Sequence, residues 1–162
     1  MPKRTGWFAL TLVLLCSPWA HAQSVQEFPL SLADGDQWGA HLCADGAGGA
    51  WVMWHDAPAY TPGIVRLLLL EPGGDRDSRW PEGGLALNDT SASGRGHMLL
   101  ADGSGGVYVA MVRSPHATGR NEVRLLHARA DGTLDPAWGA RGVLVYDGTP
   151  QEWNLEVGMG TD

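Results

Sequence analysis

Asp56, Glu82, Asp89 and Glu122 are acids of this chain that could pair as the acid and base of a glycoside hydrolysis. A glycosidase needs one carboxyl group to protonate the leaving oxygen and a second, at a set separation, to act as base or nucleophile. An acidic chain of this size offers such pairs by composition alone, so they assign no catalytic residue. His41, His55, His97, His116 and His127 never stand at zinc-ligand spacing with a cysteine or with one another, and the sequence predicts no metal. Asp45 and Asp102 each open an Asp-Gly-x-Gly-Gly run. Calcium takes about six to eight oxygens, usually from several acids at fixed offsets, and one acid per loop does not supply them. The runs therefore read as hairpin turns, built by Asp45, Gly46, Gly48 and Gly49 and again by Asp102, Gly103, Gly105 and Gly106. The aspartate bonds its own downstream backbone and the glycines accept positive φ. No nucleophile elbow, phosphate loop or dinucleotide fingerprint follows a strand, so the expectation is no catalytic residue and no cofactor.

The charge balance narrows the partners. The formal net charge is −7, and Lys3 is the only lysine. Nucleic-acid binding draws most of its affinity from clustered Lys and Arg, so nucleic acid is not an expected partner. Lys3 and Arg4, an apolar stretch from Trp7 to Cys16, a break at Ser17-Pro18 and the small-residue run Ala20-His21-Ala22 read as a secretory signal over 1–22, cleaved before Gln23. Its apolar core of about ten residues is too short to span a bilayer, which takes roughly twenty. The large Leu15 before Cys16 argues against lipidation. The expected mature chain is periplasmic or extracellular, keeps Cys43 alone, forms no internal disulfide and has no membrane span.

The elements that must position any chemistry repeat. Asp45 returns as Asp102, Val65-Arg66-Leu67-Leu68 as Val123-Arg124-Leu125-Leu126, and Trp80 with Gly84 as Trp138 with Gly142, all at a shift of 57 or 58 residues. Each turn is followed by an aromatic and β-branched run, Ala50 to Trp54 or Val107 to Val112, that reads as a buried strand. Short segments before the turn, from Ile64 or Val123, and from Leu85 or Val143 complete four strands per unit. The fold class is all-β: tandem four-stranded antiparallel blades of β-propeller type, each needing neighbours to cover its faces. The expected layout is an N-terminal strand over 23–35, repeat 1 over 36–93, repeat 2 over 94–150 and the start of a third repeat over 151–162. On this layout the chain is the incomplete N-terminal part of a longer propeller, its N-terminal strand serving as a latch. The competing arrangement is a two-sheet sandwich or an oligomer of the pair.

The run Ala130-Asp131-Gly132-Thr133-Leu134-Asp135-Pro136-Ala137-Trp138-Gly139-Ala140-Arg141-Gly142-Val143 resembles the signature of the bacterial delta-sixty repeat. The first copy departs from that signature between Glu71 and Trp80. The resemblance implies a secreted propeller fold and no shared catalytic residues.

A ligand surface is expected in the loops between the second and third strands, since function concentrates in variable loops on a rigid scaffold. Those loops are read as carrying His55, Asp56 and Tyr60 in the first copy and Arg113, His116 and Arg120 in the second. Trp51, Trp54, Trp80 and Trp138 could stack on sugars, but aromatics at repeat-equivalent strand positions are better explained by packing between sheets. The functional expectation is an exported, non-catalytic scaffold or binding module for a glycan or protein, able to self-associate through open blade edges. The alternative is part of a secreted carbohydrate hydrolase whose catalytic residues lie outside this chain.

Overall fold

The two Asp-Gly-x-Gly-Gly runs form the same hairpin. Asp45 Oδ1 accepts from the amides of Ala47 and Gly49, both at 2.8 Å, and Asp102 Oδ1 accepts from Ser104 and Gly106 at 2.7 and 2.8 Å. Gly46 and Gly48 take φ of +83° and +99°, a region costly for any residue with a Cβ. Gly49 is needed for a different reason: a Cβ there would stand 2.2 Å from the Leu70 carbonyl oxygen.

The computed structural model describes residues 31, 34–57, 63–89 and 91–148. The expected signal over 1–22, most of the 23–35 strand, Tyr60 and the 151–162 segment lie outside the described residues. In chain order the strands are β1 (Asp36–Ala44), β2 (Ala50–Ala57), β3 (Ile64–Leu70), β4 (Leu85–Ala86), β5 (Ala92–Ala101), β6 (Val107–Pro115), β7 (Glu122–Ala128) and β8 (Val143–Asp147), with a 3-10 turn at Pro136–Trp138. They make two four-stranded antiparallel sheets, β1-β2-β3-β4 and β5-β6-β7-β8. The protein is all-β, and no helix among the described residues is long and apolar enough to cross a membrane. β5 begins at Ala92, so the division of the chain at 93/94 falls inside a strand.

The stretch in which the two copies differ most in sequence folds alike. Asp77 N donates to Leu69 O at 3.0 Å, and Asp135 N to His127 O at 2.8 Å; Trp80 N reaches Asp77 O at 3.1 Å, and Trp138 N reaches Asp135 O at 3.0 Å. Pro72-Gly73-Gly74-Asp75 thus makes the turn that Ala130-Asp131-Gly132-Thr133 makes 58 residues later. A glycine at φ +87° (Gly74) and +81° (Gly132) serves each.

Alternation along a strand sends successive side chains to opposite faces. In the first sheet Trp51 and Met53 oppose Leu69 and Leu67 on one face, and Val52 and Trp54 oppose Leu68 and Arg66 on the other. Both sets of apolar side chains are buried, each contributing roughly 1.5–3 kcal/mol or more. They belong to one core shared with Leu99, Val107, Val109, Met111, Leu126 and Ala128 of the second sheet. β5 lies against β1, β2 and β3 and starts the second sheet directly over the first.

Asn88 fastens the joint between them. Its Oδ1 accepts from Val65 N at 2.7 Å, and its Nδ2 donates to the carbonyls of Gly63 and Ala92, each at 3.1 Å.

Candidate functional site

Three of the five described residues expected in the ligand loops lie in strands. His55 and Asp56 lie within β2, because pairing with β3 runs on to Asp56 opposite Ile64. Both are buried. The His55 ring stacks on Trp38 at 4.1 Å, and Asp56 receives Gln37 Nε2 and Arg66 Nε, each at 3.3 Å. Arg113 lies within β6, paired with Glu122, and is buried as well. Among the described residues of the set, only His116 and Arg120 sit in a loop, the exposed connection between β6 and β7, where Arg120 meets Asp147 at 3.3 Å. The turn residues Asp45 and Asp102 have their Oδ1 atoms committed to backbone amides, as the hairpin reading requires.

Of the predicted set, Arg113 lines a concave site. A cleft of about 220 Å³ opens at the joint of the two sheets, lined by Asn88, Asp89, Arg113 and Arg141 with Ala86, Leu87 and Ala140. Arg113 Nη2 donates to Ser91 Oγ at 2.9 Å and stands 3.6 Å from Asp89 Oδ1, while its Nη1 is 3.5 Å from Glu122 Oε2. Arg141 reaches Asp89 Oδ2 at 3.2 Å from the solvent side. Glu122 is held more closely by Arg124, at 2.8 Å, and Arg124 also donates to the carbonyl of Gly142 at 3.1 Å. Hydrogen bonds from the Ser91 hydroxyl and amide, followed by the nearby Arg141 and Arg113 charges, hold Asp89 below the ordinary carboxylate range.

A second polar cluster lies at the opposite end of β7. His127 Nε2 is 2.8 Å from Asp102 Oδ2 and its Nδ1 is 3.0 Å from Asp135 Oδ2, so the ring sits between two carboxylates. Both nitrogens donate only in the imidazolium form. Burial works against that charge, but the two aspartates outweigh it and raise the His127 pKa above its ordinary 6.5. Burial likewise works against the Asp102 carboxylate, yet bonds from His127 and from the Ser104 and Gly106 amides bring it down to about 2. Arg129 completes the cluster with a 2.7 Å contact to Asp135 Oδ1. The Tyr108 ring stacks on His127 at 4.7 Å and meets Trp138 at 5.4 Å.

Neither cluster stood out as a spacing pattern, because its members come from elements far apart in sequence. The signal that could have found them is a difference between the copies: Leu69 against His127, Asp56 against Arg113 and Gly83 against Arg141 at the repeat shift. Of the four acids with hydrolytic potential, Asp56, Asp89 and Glu122 each face an arginine. Comparison of the chain with protein-family models, with curated proteins and with solved structures gives no match.

Proposed function

We propose that this chain is an exported scaffold of propeller-type blades, akin to delta-sixty repeats, that serves as a binding module and carries out no catalysis. The observation that carries the reading is the recurrence of most of the turn and strand bonds of the backbone between the two sheets. The same turns, bulged first strands and Asp-anchored hairpins recur while the polar side chains at the sheet ends change. A fixed frame with variable ends is what a binding scaffold needs. The engagement of Asp56, Asp89 and Glu122 by arginines supports the non-catalytic reading, since it leaves no two of these three carboxylates as a facing acid and base. Self-association through blade edges is part of the proposal: β8 ends its sheet among the described strands and exposes Val143, Leu144 and Val145.

The test is a glycan array combined with a polysaccharide panel scored for released products. Retention on glycans without product release is the expected result, and product release overturns the reading in favour of a hydrolase. N-terminal sequencing of the protein recovered from periplasm or medium is expected to begin at Gln23.

A further inference from the structure

We propose that the cleft at the joint of the two sheets binds the oxyanion group of a small ligand, a carboxylate or a phosphate, through Arg113 and Arg141. This names the ligand chemistry of the binding module and rests on that reading. The Arg113 side chain is only 6% exposed. A guanidinium offers five N–H donors in a rigid fork. Among the described residues its one close acceptor is Ser91 Oγ, for the two carboxylates stand at 3.5 and 3.6 Å, well beyond the 2.7–2.9 Å of a formed charge-assisted bond. Burying a charge costs several kcal/mol unless it is paired at good geometry, so a loosely paired buried guanidinium lining a cleft is matched to an incoming anion.

The fold does not demand these cations. At the repeat shift the first sheet carries Asp56 where the second carries Arg113, and Gly83 where the second carries Arg141. The same backbone forms in both. The local charge also favours an anion: three guanidiniums, Arg113, Arg124 and Arg141, face two carboxylates, Asp89 and Glu122, in a chain of net charge −7. At about 220 Å³ the cleft is below the roughly 300–1,000 Å³ of drug-sized pockets, which fits a phosphate or one acidic sugar ring.

The purified chain is titrated calorimetrically with inorganic phosphate, glucuronate and glucose at constant ionic strength, with chloride as the control. Phosphate or glucuronate is expected to bind in the millimolar range or tighter, and glucose is not. Tighter phosphate binding identifies a phosphate-bearing ligand, and tighter glucuronate binding an acidic sugar. Arg141→Ala removes a side chain that is 61% exposed and whose ion-pair partner is Asp89, so its fold, checked by circular dichroism, is expected to be kept while anion affinity falls 10-fold or more. Arg113→Lys keeps the charge, loses the fork and is expected to weaken binding similarly. Anion binding no better than chloride, or an Arg141→Ala variant with unchanged affinity, overturns the site. If glycan-array retention persists in that case, the scaffold reading stands without this cleft.

Discussion

Trp51 with Trp80 in the first sheet and Tyr108 with Trp138 in the second are the same aromatic pair at the repeat shift, with ring centroids 5.2 and 5.4 Å apart. Their surroundings differ. The first pair is sealed, and the Gly132 turn of the second sheet lies so close that a Cβ there would come within 3.3 Å of Trp80 Cα. In the second pair Tyr108 is 36% exposed. One backbone thus yields a core in one place and a surface in the other, and the side chains follow: Trp becomes Tyr, and Leu69 becomes His127 with its two aspartates. The neighbour, not the strand, decides what the face is for.

The comparison breaks most sharply under truncation. Trp51→Ala is expected to cost about 3–5 kcal/mol in urea unfolding, as for other buried aromatics. Tyr108→Ala is expected to cost about 1 kcal/mol because a third of that ring already meets water. Equal losses would mean that the two faces are equally covered. Where the backbone is shared, the copies should instead agree. Gly49→Ala and Gly106→Ala each drive a Cβ within 2.2 to 2.4 Å of an oxygen, and both are expected to lower stability by about 1–3 kcal/mol.

His127→Leu restores the residue of the first copy and sharpens the contrast through pH. A raised histidine pKa contributes stability that is complete below the unfolded value near 6.5 and is lost as pH rises through the folded value. The depressed Asp102 contributes above about 3.8 and is lost as pH falls toward about 2. The native chain should therefore gain most from this cluster between about pH 4 and 6.5. His127→Leu is expected to be about 1–2 kcal/mol less stable at pH 5 and to lose that deficit by pH 9, read from urea midpoints across the range. The smallest effect on stability, within about 0.5 kcal/mol, is expected for Val145→Lys on the exposed edge of β8. Its readout is sedimentation, where concentration-dependent association should fall because a charged edge resists pairing.

The strands were legible because each is a short apolar run bounded by glycine turns, and the Asp-Gly-x-Gly-Gly signal carries its geometry in five residues. Strand ends were less so. His55, Asp56 and Arg113 looked like loop residues because they are polar, yet β2 and β6 continue through them by backbone pairing that is blind to side-chain polarity. The first-copy run from Glu71 to Trp80 hid its equivalence because a Pro-Gly-Gly turn and an Ala-Asp-Gly turn satisfy the same backbone bonds with different residues. The Arg113 and His127 clusters depend on contacts across 22 to 25 residues of chain, which no local spacing encodes.

Asn88 has a consequence at a larger scale than its own bonds. Its single amide ties the start of β3 to the start of β5, and the close approach of Gly94, where a Cβ would lie 2.8 Å from Asn88 Oδ1, removes any slack there. Asn88 is therefore, with the shared core, one of the contacts that fix how the second sheet is set against the first.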